Sequence, residues 1–192
     1  MQFDIDQLLT VTFTLFAIID IVGSIPLLIS LKEKMGSIRS LPATVLSGAL
    51  MILFLYLGEP FLRIFGVDVK SFAVGGSIVI FLLGLEMILG HEIFKSDKDV
   101  RAGTFVPIAF PIIAGSGTLT TVMSLKANYH ATYILLGILI NLIGVYLVLI
   151  SLKWIQKALG PAGMIALRKF FGIILIAIAV KIFSTNLPSF GR

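Results

Sequence analysis

Six apolar runs decide what this chain can fold into. They cover residues 7–31, about 40–58, about 71–90, 102–125, 127–152 and about 170–188. Each is close to the roughly 20 residues a helix needs to cross a hydrocarbon core. They are continuously apolar, without the alternation of a barrel strand, which needs only about 9–11 residues. Of the 192 residues 58% are hydrophobic and 13% charged, against about 45–50% apolar and about 25% charged in soluble domains. One core of this size cannot hide that much apolar surface. The chain reads as an all-α membrane protein of six transmembrane helices, a single transmembrane domain over 1–192 with no room for a sizeable soluble domain.

Charge supports the same reading. A net charge of +5 would suggest nucleic acid as the partner of a soluble chain. Here the basic residues lie in short loops, so they report topology, and no nucleic-acid partner is expected. The loops after the first, third and fifth runs carry Lys32, Lys34, Arg39, Lys95, Lys98, Arg101, Lys153, Lys157, Arg168 and Lys169; the opposite side carries Arg63, Lys70, Lys126 and Arg192. Basic loops face the cytoplasm, which predicts a cytoplasmic-membrane protein with both termini outside. The start, Met-Gln-Phe-Asp-Ile-Asp, lacks the basic region of a signal peptide, so the first run is expected to be retained.

Two of the runs are interrupted. The first contains Asp20-Ile21-Val22-Gly23-Ser24-Ile25-Pro26, and the fourth contains Ala114-Gly115-Ser116-Gly117-Thr118 with Pro107 and Pro111 ahead of it. Proline removes a helical N–H and clashes with the preceding turn, and glycine costs about 1 kcal/mol relative to alanine in a helix. Freed backbone groups are tolerated at membrane depth only against protein or a water-filled cavity. The spacing therefore predicts two helices broken mid-membrane, each restarting at its Gly-Ser. Gly23-Ser24 and Gly115-Ser116 lie 92 residues apart, and Phe65-Gly66 precedes the third run as Gly160-Pro161 precedes the sixth. Each half holds three runs, so a duplicated half enters from the opposite side. The expected plan is two inverted three-helix repeats, about 1–90 and about 104–192, joined by a polar cytoplasmic linker of about 91–103.

This pattern points to a transport site. A helix start offers unpaired N–H groups and a partial positive charge, suited to a carboxylate. The candidate substrate-binding residues are Asp20, Gly23, Ser24, Pro26, Gly115, Ser116, Gly117, Thr118 and, near the middle of the fifth run, Asn141. Burying a charge such as Asp20 costs at least about 2.5–3.5 kcal/mol on insertion scales. Three roles for it stay open: counter-ion to a substrate ammonium, proton carrier, or partner of freed backbone. Lys181, inside the sixth run, either snorkels to the outer interface or pairs with an acid in the bundle. Glu86 is expected at the cytoplasmic interface. Gly76 and Gly84 on one face of the third run, and Gly137, Asn141 and Gly144 on one face of the fifth, fit close helix packing. Tyr56, Tyr129, Tyr133 and Trp154 lie at run ends, where belt residues sit.

Catalytic signatures are lacking. The two histidines, His91 and His130, stand at run edges, no serine has a histidine and acid arranged around it, and no phosphate-binding Gly-rich loop is present. There are no cysteines, which excludes disulfides and thiolate metal sites. The expectation is neither enzyme nor metalloprotein, with no cofactor.

The chain resembles the MarC family of integral membrane proteins along its whole length. The resemblance rests on Asp20-Ile-Val-Gly-Ser-Ile-Pro-Leu-Leu, on Phe65-Gly66 with Gly75-Gly76-Ser-Ile, on Val106-Pro-Ile-Ala-Phe-Pro-Ile-Ile-Ala-Gly-Ser-Gly-Thr-Leu and on Leu167-Arg-Lys-Phe-Phe-Gly-Ile-Ile-Leu. The family typically has Asn-Pro or Asp-Pro at Asp20-Ile21 and Gly-Pro-Gly at Gly115-Ser116-Gly117. Both departures replace a proline. The resemblance implies six spans in the cytoplasmic membrane and kinship with lysine-exporter-like transporters. It also implies, from members so described, transport of small neutral amino acids. The combined expectation is a secondary transporter of small neutral amino acids or similar metabolites, with proton coupling an open option. The rivals are a channel or a membrane protein without transport. The expected partners are a small-molecule substrate and the lipid bilayer; oligomeric state is not readable.

Overall fold

The computed structural model describes residues 4–90, 104–126 and 128–187. The expected linker of about 91–103, with Lys95, Lys98 and Arg101, lies outside the described residues. The described elements are α1 (Ile5–Ile19), α2 (Ile25–Met35), α3 (Ser40–Ile64), α4 (Val69–Leu89), a loosely wound segment (Thr104–Ile113) and α5 (Ser116–Leu125). A final helical stretch is divided at Gly160, where φ is 64° and ψ 176°, into α6 (Ala131–Gly160) and α7 (Ala162–Asn186). The described residues contain no strand.

Four helices, α3, α4, α6 and α7, are long and apolar enough to cross a membrane, and residues 106–113 with α5, bent by 45°, add a fifth span if taken together. The first run is divided: α1 is apolar but has only 15 residues, and α2 follows after a break. At the end of the bundle carrying the Gly160 reversal, α6 and α7 outlast their apolar runs by about two turns. Those extra turns carry Lys153, Lys157, Arg168 and Lys169. We call this the basic end. The opposite, terminal end holds the starts of α1 and α6, tied together by the Asp4 N–H donating to the Tyr133 hydroxyl at 2.8 Å. Tyr133 is therefore buried instead of lying in a belt, whereas Trp154 is 74% exposed.

Local chemistry explains the boundaries. Asp4 caps α1 by accepting the Gln7 N–H at 3.1 Å. Asp68 caps α4 by accepting the Ser71 N–H at 2.6 Å, a bond that holds its carboxyl below the usual range. Gly66 and Gly90, with φ of 67° and 72°, supply the left-handed positions that end α3 and α4. Val11, Leu15 and Ile19 form the buried stripe of α1. They meet Leu28, Ile29, Met51, Leu55, Ile113, Leu119, Ile134 and Ile138 in one core. Large apolar side chains also point outward, Phe13, Ile64, Ile143, Leu147, Ile173 and Val180 among them. Only 17% of the most apolar stretch of α7 is buried. An exposed apolar surface this extensive belongs in lipid.

A close backbone contact joins α4 to α7. A Cβ on Gly84 would lie 2.8 Å from the Gly172 carbonyl oxygen, and one on Gly172 would lie 3.0 Å from that of Gly84. Backbone meets backbone there, as the small-residue face of the third run predicts. Gly84→Ala should therefore lower the thermal midpoint in detergent, at a cost of about 1–3 kcal/mol for overpacking. Gly144→Ala, whose methyl group would meet open space, should leave it unchanged. Equal midpoints for the two variants would show that α4 and α7 are not locked at this crossing.

Candidate functional site

Asp20 itself closes the first break. Its backbone is left-handed, with φ 44° and ψ 47°, and its N–H donates to the Phe16 carbonyl to end α1. Few side chains tolerate this conformation; short polar ones such as Asp do, because they can bond locally. The carboxylate Oδ1 accepts the Gly23 N–H at 3.2 Å. The Asp20 carbonyl accepts the Ser24 N–H at 3.0 Å, and the Val22 carbonyl accepts the Ile25 N–H at 3.2 Å. A Cβ on Gly23 would overlap the Asp20 carboxylate, so only glycine fits beneath it. α2 then begins with Pro26 in its first turn, where proline's missing N–H is no loss.

The second break is built differently. Val106 and Phe110 are extended, with φ/ψ of −129°/120° and −134°/130°. Each precedes a proline, whose ring disfavours the helical region in the residue before it. Gly115, at φ −69° and ψ 168°, stands before α5 with no side-chain cap. A Cβ there would overlap the Pro111 carbonyl oxygen. Thr118 donates its hydroxyl to the Ile113 carbonyl at 3.2 Å. The N–H groups of Ser116, Gly117 and Thr118 have no acceptor among the described residues. The two helix starts therefore differ. The turn at Asp20 provides acceptors for the Gly23, Ser24 and Ile25 N–H groups, while those of Ile21, Val22 and Leu27, like those of Ser116, Gly117 and Thr118 at the second break, have none among the described residues.

Both breaks open onto one cavity of about 470 Å³, lined by Asp20 and Ser24 from the first and by Gly115, Gly117 and Thr118 from the second. Leu27, Ile80 and Leu83 wall it toward the basic end. Lys181, Thr185 and Asn186 of α7 line it toward the terminal end. The remaining sequence candidates lie off the cavity wall. Gly23 sits under the Asp20 carboxylate, and Pro26 is buried in α2. Ser116 is buried with its hydroxyl unpartnered, turned against α4 where a Cβ on Gly76 would overlap it. Asn141 donates its amide to the carbonyls of Thr12 at 3.1 Å and Gly137 at 2.8 Å; it braces α6 against α1 and lines a separate void with Ile19, Ile21 and Val22, which flank Asp20. The sequence argument did not place Lys181, Thr185 and Asn186 in the site. The one signal available was Lys181, the lone charge within the sixth run.

At the basic end, ion pairs tie α2 to α4 and α7. Lys34 of α2 meets Glu86 of α4 at 3.2 Å. Arg168 of α7 lies 3.8 Å from Glu33, whose other oxygen accepts the Gln156 amide at 2.7 Å. Glu86 is 8% exposed, so the expected interfacial placement is corrected. It sits at that end of the bundle, but buried behind its lysine. Leu27 lies both on the cavity wall and beside this cluster. Among the described residues no group of three His, Asp or Glu could hold a metal ion.

The chain matches the model of the MarC family integral membrane protein over residues 5–189. It belongs to the MarC family. Relatives from bacteria and archaea match along nearly the whole chain. A UPF0056 membrane protein of Methanocaldococcus jannaschii is 28% identical, the match covering 93% of this chain and 94% of the relative. The UPF0056 membrane protein YvbG of Bacillus subtilis is 27% identical, covering 92% of each. YhcE of Escherichia coli, also a UPF0056 membrane protein, is 25% identical, covering 90% of this chain and 88% of the relative. No solved structure matches the chain. This MarC family member is thus an integral, multi-pass helical membrane protein, and its relatives' names carry no substrate.

The geometry of the first break separates the acid's shape from its charge. Asparagine tolerates the left-handed backbone and can accept the Gly23 N–H, whereas alanine can do only the first, at a cost. Asp20→Asn should keep the thermal midpoint of the wild type, and Asp20→Ala should lose about 2 kcal/mol of stability. A melt in detergent decides it: equal loss in both would mean that the negative charge, not the turn, holds this break.

Proposed function

We propose that this protein is a secondary transporter of small neutral amino acids or similar small metabolites, built as two inverted three-helix repeats around the cavity between the broken helices. One observation carries the reading: residues from both breaks, 92 positions apart, line the same cavity. Its volume falls in the range of small-molecule sites, about 300–1,000 Å³. The free N–H groups at the start of α5 suit a carboxylate. Asp20, with one oxygen committed to Gly23, retains a second for an ammonium or a coupling proton. Left-handed glycines before both third helices, Gly66 and Gly160, support the repeat, as does the pairing of those helices, α4 and α7, across their glycines. The basic residues at the Gly160 end support a cytoplasmic position for that end and outside termini.

Alternating access requires that a central site open to one side at a time. The cavity reaches the terminal end, and the leucines and ion pairs close the basic end. On this reading the structure is an outward-facing state, and the Lys34–Glu86 and Arg168–Glu33 pairs, which join α2 to α4 and α7, form its cytoplasmic gate.

The transport reading is tested by uptake of labelled glycine and alanine into proteoliposomes, with and without an imposed pH gradient. Saturable uptake by the wild type is expected. Asp20→Asn should lower it at least tenfold with the thermal midpoint retained. Uptake of neither amino acid under any gradient would overturn the substrate assignment, and unsaturable conductance untouched by Asp20→Asn would make the protein a channel. The gate is tested by thiol labelling, since the chain has no cysteine of its own. Ser30, which lines the small void beside Lys34 and Glu86, is replaced as Ser30→Cys. A membrane-impermeant reagent applied from the basic side should label it several-fold faster once Glu86→Gln is added. An unchanged rate would remove the gate.

A further inference from the structure

We infer that Lys181, together with the free N–H groups at the start of α5, holds the carboxylate of the transported molecule and so selects zwitterions over simple amines, an inference that rests on the transport reading above. Two formally charged side chains line the cavity, the acid Asp20 and the base Lys181. They come from different elements, α1's end and α7, and the walls contributed by α4 and α5 carry no charge there. Lys181 has no ion-pair or hydrogen-bond partner for its ammonium among the described residues. Asp20 engages one carboxylate oxygen with a backbone N–H.

A charge within an apolar helix bundle is tolerated when it faces water or an opposite charge. An acid and a base facing one cavity make it neutral overall and polar at two points. The molecule that matches both points carries an ammonium and a carboxylate. A lysine suits the second point because its compact charge rides on a flexible stem. The stem can extend along α7 toward the terminal end and turn back with a bound carboxylate. Thr185 and Asn186, one turn further on, continue the polar line toward that end. Snorkelling and substrate binding are then two positions of the same side chain.

The test compares alanine with alaninol, which keeps the ammonium and replaces the carboxylate with a hydroxymethyl group. In proteoliposomes, Lys181→Met should raise the KM for labelled alanine at least tenfold. It should change the inhibition constant of alaninol by less than twofold, and Lys181→Arg should recover most of the alanine KM. Thermal melts of the purified variants establish that each is folded. An unchanged alanine KM in Lys181→Met would overturn the inference while leaving the transport reading in place. So would equal rises for alanine and alaninol, because a structural defect moves both. A wild type that takes up no alanine would instead remove the transport reading itself.

Discussion

The rest of the structure depends on how a backbone polar group is satisfied where no water reaches. In hydrocarbon every N–H and C=O needs an internal partner, which is why continuous helices are the rule. This chain breaks the rule twice, and the two breaks are built by different means. At Asp20 the side chain supplies the missing acceptor, folding over Gly23 so that Gly23, Ser24 and Ile25 all donate within a single turn. At Gly115 the backbone is swung out by two prolines, and the new helix starts with N–H groups still free. A closed turn and an open helix start therefore face each other across one space.

Packing enforces this arrangement from outside. The start of α5 is pressed against α4, where Ser116 occupies the position that a side chain at residue 76 would take. Gly115 is held against the Pro111 carbonyl in the same manner. These contacts fix the direction of α5's free N–H groups, since moving the helix start would collide with one neighbour or the other. The glycines at 84 and 172 do the same for α4 against α7, the two helices that supply the cavity's apolar wall and its lysine. The site is thus positioned by close backbone contacts, which tolerate far less adjustment than contacts between flexible side chains.

Much of this was legible along the chain. Apolar length located α3, α4, α6 and α7, and the positions of glycine and proline located both breaks, because each of those signals is local. The replacement of the family's proline by Ile21 and Ser116 did not abolish either break. At the first, a left-handed Asp20 does the turning; at the second, Pro107 and Pro111 act further upstream. What was not legible depends on contacts between distant segments. Nothing near Glu86 announces that Lys34, 52 residues away, will bury it. Asn141 at mid-run looks like a site residue, but its amide is engaged by α1 and by its own helix. Lys181 stood out as a charge in an apolar run, yet whether it faces lipid or a cavity depends on the rotation of α7, which Gly172 sets through its contact with Gly84.

The distribution of charge across the bundle adds a final constraint. At the basic end, acids and bases meet one another: Lys34 with Glu86, Arg168 with Glu33. In the cavity, Asp20 and Lys181 face the same space with no ion pair recorded between them. Paired charges hold helices together and cost little to leave paired. Charges held toward an apolar-walled space keep their desolvation cost until a molecule or water meets them. A fold that pairs its charges at one end and leaves Asp20 and Lys181 without an ion pair in the middle has placed unmet electrostatic demand at the cavity. The polar molecule that meets it is the one most able to change the balance between the closed end and the open one. For a carrier this links binding to gating. On the transport reading proposed above, a ligand that neutralises Asp20 and Lys181 would lower the cost of closing the cavity around them, and closing it at the terminal end would be the step that releases the ion pairs at the other.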